Sequence, residues 1–221
     1  MDLRQMFRRP LFWIGLLLLA LLAWGLSQGF VRIGAGDSSV GGKKAVLTSE
    51  FAVGQIMSLV VLLFYGFFVA VAAGLSVISD EESGVGQILH ATPLRPVEYI
   101  RGKFAAVVAG FLVILLAQLA AMMFFNHVVP NAEMKEFQGP LNLLNYLKPA
   151  LIFAVPMILF ISGISLAVGT LSRKAILVFF LPVALVLFCG FFMWDFSPSW
   201  LDPRLNQLLM ILDPSGFRWI N

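Results

Sequence analysis

The residues best suited to chemistry in this sequence are four acids in one polar segment, residues 79–103. Asp80, Glu81 and Glu82 lie near its start and Glu98 near its end, so the segment holds four of the chain's twelve acids. Acids that precede a short apolar stretch favour a helix amino terminus, where the helix dipole and unpaired N–H groups attract negative charge. The chemistry they indicate is either helix capping or charged contact with a basic partner.

The apolar residues that follow these acids predict a short amphipathic helix. Val85, Ile88 and Leu89 are spaced by three and four residues and would share one helix face. Pro93 should end that helix, and Pro96 suits the first turn of the next one. Such a helix would either dock into a groove of another protein or lie in the lipid headgroups.

The other candidate chemical groups give little indication of a functional site. The stretch from Asp37 to Lys44 does not match a phosphate-binding loop. Such a loop needs glycine where Asp37 stands and a serine or threonine hydroxyl where Lys44 stands. The single cysteine, Cys189, lies in an apolar block and cannot form an intramolecular disulfide. His90 and His127 are expected on opposite sides of a membrane, so we expect no metal site.

The elements that must position these residues are apolar blocks. The sequence is 60% hydrophobic and 12% charged, whereas soluble domains are about 45–50% apolar and about 25% charged. A hydrocarbon core of roughly 30 Å needs about 20 apolar residues to cross it. Five blocks without an internal charge meet this need approximately, at residues 11–27, 51–78, 104–125, 149–171 and 175–194. We therefore predict an all-α integral membrane protein, one transmembrane domain over residues 1–221 with about five spans.

Four polar residues inside these blocks allow two interpretations. Gln55, Gln118, Ser162 and Ser165 could line a transport pathway, because polar groups in lipid usually face the interior of a helix bundle. They could equally form hydrogen bonds that hold neighbouring helices together. The sequence leaves both open.

Basic residues near the block ends indicate the orientation. With the amino terminus in the cytoplasm, the inner segments hold eight Lys and Arg and the outer segments seven, which is nearly balanced. Position is more informative, because three arginines precede the first block and Arg173 and Lys174 form a short turn between two others. We expect a cytoplasmic amino terminus, an uncleaved first span and an extracytoplasmic tail at residues 195–221. The sequence holds no basic domain that would favour nucleic-acid binding.

Two runs of the polar segment carry a family resemblance. The run Asp80-Glu81-Glu82-Ser83-Gly84, followed by residues 89–104 (LHATPLRPVEYIRGKF), resembles the cytoplasmic loop that joins the second and third spans of ABC-2-type transporter permeases. The resemblance covers roughly residues 50–217. It implies a type V exporter-like bundle in the bacterial inner membrane, with a short coupling helix that docks into an ATPase.

The resemblance also implies a division of labour. This chain would be a permease subunit and not an enzyme, with no cofactor of its own, while ATP and magnesium are bound by a separate ATPase subunit. A second permease chain or half would complete the pathway, with export the expected direction. In the partner interface, Asp80, Glu81 and Glu82 would contact basic residues while Val85, Ile88 and Leu89 fill a groove.

Residues 139–149, 171–174 and 212–216 are similar to a subgroup of such permeases fused to an aminopeptidase-like domain. No H-E-x-x-H motif of that domain occurs here. Because the family's membrane domains usually have six spans, we expect the chain to be the front portion of a longer permease. A membrane-bound enzyme would need titratable residues that converge at one membrane depth, and the blocks hold no Asp, Glu, Lys, Arg or His. The principal alternative is therefore a membrane anchor or assembly subunit that transports nothing.

Overall fold

The computed structural model describes residues 10–28, 30, 48–82, 84, 95–130, 135, 138–189, 202–213 and 216. All regular structure among them is helical, which confirms the predicted all-α class. Six helices follow one another within these described residues. They are α1, Pro10–Ser27; α2, Glu50–Val60 continued by Val61–Tyr65 and Gly66–Glu82; α3, Pro96–His127; α4, Leu143–Pro149 continued by Ala150–Ala154 and Val155–Ser172; α5, Ala175–Phe188; and α6, Pro203–Leu212.

Three of these helices are long and apolar enough to cross a membrane. They are Glu50–Asp80 in α2, Val97–His127 in α3 and Leu143–Ser172 in α4, with 31, 31 and 30 residues. A helix of this length extends about 45 Å, which exceeds a hydrocarbon core of roughly 30 Å. The first and fifth predicted spans correspond to shorter apolar helices, Phe12–Ser27 and Ala175–Phe188. The count of five spans therefore stays a prediction.

Several helix ends differ from the predicted block ends. Helix α2 continues to Glu82 instead of ending at residue 78, and α3 begins at Pro96 instead of residue 104. Helix α4 begins at Leu143 instead of residue 149, and the side chain of Asn142 accepts a hydrogen bond from the N–H of Leu144 at its start. The differences share one cause, since hydropathy marks where lipid begins and a helix continues as long as its polar groups find partners.

The three acids near the start of the polar segment lie at the end of a helix. Asp80, Glu81 and Glu82 form the last turn of α2, whereas the sequence predicted that they open a new one. Negative charge at a helix carboxyl end opposes the helix dipole, so this placement requires a compensating cation. Lys103 of α3 supplies it to Asp80.

Contacts between helix ends establish their relative directions. The Ser27 hydroxyl donates to the carbonyl of Phe125 at 2.8 Å, so α1 and α3 run parallel. Lys148 at the start of α4 pairs with Glu50 at the start of α2, with 3.1 Å between Nζ and Oε2. The bundle thus has a Glu50 end, where α2 and α4 begin, and a Glu82 end, where α1 and α3 begin.

Helix α2 is central, and its second half contacts α3, α4 and α5. It approaches α4 closely at two glycines. A Cβ added to Gly169 would lie 3.0 Å from the carbonyl oxygen of Gly74 and 3.2 Å from its Cα. The absence of side chains at both positions therefore permits backbone contact between the two helices.

Two π-helical segments, Val61–Tyr65 in α2 and Ala150–Ala154 in α4, contact each other inside the bundle. The second lies directly after Pro149 and just before Pro156, which lacks an N–H to donate. Widened turns of this kind accommodate a missing backbone hydrogen bond and are frequent at functional sites. The structure places this wide turn on the amino-terminal side of Pro156.

Candidate functional site

The candidate site lies at the Glu82 end, where the segment predicted to couple with an ATPase leaves α2 and enters α3. Pro96 occupies the first turn of α3, and the Glu98 carboxylate accepts a hydrogen bond from the N–H of Arg95 at 3.2 Å. Both features follow the sequence prediction that Pro96 and Glu98 start this helix. The entry into α3 is therefore held by local interactions of the polar segment itself.

An ion pair joins the two helices beside this entry. Lys103 Nζ lies 2.6 Å from Asp80 Oδ2, and the Lys103 side chain is 1% exposed whereas that of Asp80 is 31% exposed. The Lys103 ammonium also donates to the carbonyl oxygen of Ser76, one turn earlier on α2. A buried ammonium needs such partners, because an unpaired charge away from water is very costly.

Tyr99 completes this arrangement. Its hydroxyl donates to Asp80 Oδ2 at 2.7 Å, and Lys103 Nζ lies 4.8 Å from the centre of its ring. Tyr99 and Lys103 are four residues apart on one face of α3, so both reach the same carboxylate. We call Ser76, Asp80, Tyr99 and Lys103 the Asp80 cluster.

No role was predicted for Lys103 or Tyr99 from the sequence. Both belong to the run that carries the family resemblance, and their spacing of four residues was the available signal. Asp80 was predicted to contact a partner protein, and the structure shows its Oδ2 atom bonded within the chain by α3. Contact of Asp80 with a partner stays a prediction.

The other predicted coupling residues are described only in part. Glu81 and Glu82 belong to the last turn of α2, and their side chains lie outside the described residues. Val85, Ile88 and Leu89 also lie outside them, as do His90 and the stretch from Asp37 to Lys44. The predicted coupling helix and its docking residues therefore stay predictions.

The predicted polar residues of the spans occupy different environments. The Tyr65 hydroxyl donates to Gln118 Oε1 at 2.7 Å, both buried, which ties α2 to α3. The Ser165 hydroxyl donates to the carbonyl oxygen of Ala70, which ties α4 to α2. Gln118 and Ser165 thus each make one interhelical hydrogen bond.

Ser162 and Gln55 differ from that pair. Ser162 is fully buried, and its hydroxyl has no hydrogen-bond partner among the described residues. Gln55 is half-buried near the Glu50 end, and its backbone carbonyl accepts from the Ser58 hydroxyl at 3.0 Å. A pathway role for any of the four residues stays a prediction.

The Glu50 end carries a second polar network. Tyr146 is fully buried at the start of α4, and its hydroxyl lies 3.0 Å from His127 Nε2 and accepts from Asn126 Nδ2 at 3.2 Å. The Thr48 hydroxyl accepts from the N–H of Gly139 at 3.0 Å, and its carbonyl accepts from Asn145 Nδ2 at 3.0 Å. These bonds fix the starts of α2 and α4 against the end of α3.

Long apolar helices whose buried polar groups pair between helices define a multi-pass helical membrane protein. A family model for the ABC-2 family transporter protein matches residues 37–217 of the sequence. The chain therefore belongs to the ABC-2 transporter family, whose members are membrane components of ABC transporters. No curated protein and no solved structure matches it.

Proposed function

We propose that this chain is the permease subunit of an ABC transporter, which forms the membrane pathway and is powered by a separate ATPase subunit. Membership of the ABC-2 family supports this function. The observation that carries it is the Asp80 cluster, which fastens the end of α2 to the start of α3 on both sides of the connecting segment. A push on that segment would reach both helices together.

The finer assignments of the proposal follow the sequence. Glu81 and Glu82 contact basic residues of the ATPase, while Val85, Ile88 and Leu89 fill a groove on its surface. ATP and magnesium are held by the partner. Asp80 acts from within the permease as a positioning residue, since Lys103 and Tyr99 hold its carboxylate.

The remaining assignments concern the assembly. The chain works with a second permease chain or half in the bacterial inner membrane, with its amino terminus in the cytoplasm, and it exports its substrate. Its subgroup is that of permeases related to the aminopeptidase-fused members. The Glu82 end of the bundle then faces the cytoplasm, which agrees with Arg95, Arg101 and Lys174 at that end.

The first test is purification of the tagged chain from its host in mild detergent, with mass spectrometry of the proteins that accompany it. The variant Glu81→Lys/Glu82→Lys should lose the ATPase that accompanies the wild type. Glu50→Lys is the matched control, because it reverses the charge of an acidic residue at the opposite end of the bundle. The described ion pair that it removes, with Lys148, is exposed to solvent. Absence of any ATPase from the wild-type preparation would overturn the proposal.

The second test separates a transporter from a membrane anchor. ATP hydrolysis by the purified complex in lipid vesicles should depend on the permease chain and change when the Asp80 cluster is disrupted by Lys103→Met. Hydrolysis that is the same with the variant, although the ATPase still binds, would favour the anchor alternative. ATP hydrolysis and ATPase binding are measured on the same vesicle preparation.

A further inference from the structure

A cavity of about 320 Å³ separates α1 from α2 within the bundle. Helix α1 packs along α3, and its side facing α2 borders the cavity. Its lining includes Gly15 and Leu19 of α1, Phe64, Phe68 and Ala72 of α2, and Phe111 of α3. The volume is within the range of about 300–1,000 Å³ that is typical of ligand sites.

The lining offers an occupant apolar contact and no free polar group. Among the described lining residues only Tyr65 has a polar side chain, and its hydroxyl is already bonded to Gln118 Oε1 at 2.7 Å. A water molecule needs two to four polar partners to stay in a buried site, whereas apolar cavities stay dry and take apolar ligands. The chemistry therefore favours a hydrocarbon.

The shape of the cavity favours a chain over a compact molecule. Its lining runs from Pro10 to Leu19 on α1 and from Phe64 to Leu75 on α2. At 1.5 Å per residue these stretches extend about 13 Å and about 16 Å along the helices. A volume of 320 Å³ spread over that length corresponds to a mean cross-sectional area of about 20 Å². So narrow a space suits a single extended hydrocarbon chain.

The end of the cavity at Pro10 indicates which amphiphile would supply that chain. In the sequence, Arg8 and Arg9 directly precede Pro10, which borders the cavity where α1 begins. Cationic residues beside a membrane segment attract anionic lipid headgroups. An acyl chain that lies along α1 would place its own headgroup at this end of the helix.

We propose that the cavity between α1 and α2 binds one acyl chain of an anionic phospholipid. The favourable free energy of binding comes from the van der Waals contacts made when the void is filled. Transfer of the acyl chain from the bilayer contributes little, because lipid tails are as apolar as the side chains that line the cavity. The bound lipid acts as a spacer that holds α1 beside α2. This site is independent of the coupling segment and of any ATPase.

The test uses the full chain in vesicles that contain phosphatidylglycerol or phosphatidylcholine with a diazirine at the end of one acyl chain. After illumination, mass spectrometry locates the labelled residues. Gly15→Leu fills the cavity, since a Cβ at this position lies 3.8 Å from the Phe68 ring and the rest of the side chain enters the space. Ala72→Leu is a second filling variant. Gly163→Leu is the matched control, because no atom lies within 4 Å of a Cβ added there and the position is outside the cavity.

The phosphatidylglycerol probe should label the stretch from Phe64 to Leu75, and labelling should fall by about fivefold or more in either filling variant because the space for a ligand is lost. Labelling of Leu116, 61% exposed on the bundle surface, and of the Gly163→Leu protein should stay at the wild-type level. Absent labelling, labelling unchanged by both filling variants, or crosslinks to a second copy of the chain would overturn the proposal. Equal labelling by the two probes would overturn the assignment to an anionic lipid.

Discussion

Lys103 Nζ lies 2.6 Å from Asp80 Oδ2, and this pair joins the last turn of α2 to the first part of α3. The ammonium is almost completely buried and the carboxylate is partly exposed, so the lysine depends on the aspartate more than the reverse. Replacing only Asp80 would leave a cation inside the bundle with the Ser76 carbonyl as its described partner. The pair is therefore better regarded as a fixed connection than as a large source of net stability.

The first prediction concerns this dependence. Asp80→Asn keeps an acceptor for the Tyr99 hydroxyl but removes the negative charge, and it should lower the free energy of unfolding by about 3 kcal/mol because the buried ammonium loses its anionic partner. Lys103→Met removes the cation and should cost less. Thermal unfolding of the purified chain in detergent measures both.

The double variant Asp80→Asn/Lys103→Met provides the control. It should be more stable than Asp80→Asn alone, since the buried cation is removed together with its anionic partner. Effects of the two substitutions that simply add would contradict the assigned pairing.

Stimulation of the partner ATPase should be lost in the double variant even where stability recovers, if the connection between α2 and α3 transmits the motion.

The Asp80 cluster also shows where sequence reasoning stops. Pro96 and Glu98 were predicted at the start of α3 because a helix start follows local rules of residue type and spacing. The partnership of Asp80 with Lys103 and Tyr99 depends on how two helices meet. Without that partnership, three consecutive acids are unfavourable at the carboxyl end of a helix. The sequence therefore predicted that α2 ends before them.

The three long apolar helices were predictable for a different reason. Lipid requires a long uncharged run, and that requirement is recorded directly in the sequence. The contact of Gly74 with Gly169 and the π-helical turns of α2 and α4 were not predictable in this way. They depend on the crossing point of two helices, which many small residues in both helices would allow equally well.

The second prediction tests that crossing point. Gly169→Ala places a Cβ against the backbone of Gly74, so α2 and α4 must separate, and we expect a loss of about 1–3 kcal/mol in stability. Gly163→Ala in the same helix meets no atom within 4 Å, and it should raise stability by as much as about 1 kcal/mol through its higher helix propensity. Unfolding in increasing denaturant compares the two. Equal effects would show that the close approach is absent.

The third prediction concerns the buried bond between α2 and α3. Tyr65→Phe removes the hydroxyl that donates to Gln118 Oε1, leaving the amide unsatisfied, and it should cost about 1–3 kcal/mol. Adding Gln118→Leu should recover part of that loss, because an apolar pair leaves nothing unpaired. The same unfolding measurement compares the two variants. A double variant less stable than Tyr65→Phe would show that Gln118 makes a further stabilising contact.

The fourth prediction tests the orientation of the bundle. In a Cys189→Ser background, single cysteines replace Lys174, exposed at the Glu82 end, and Lys135, exposed beyond the Glu50 end of α3. A membrane-impermeant maleimide should label Lys135→Cys in intact spheroplasts and should label Lys174→Cys only after the membrane is permeabilised, because basic residues close to short turns stay in the cytoplasm. The reverse pattern would place the amino terminus outside and move the Asp80 cluster away from any cytoplasmic ATPase. Since the ion pair and the coupling proposal share that end of the molecule, this measurement decides whether the cluster can transmit force at all.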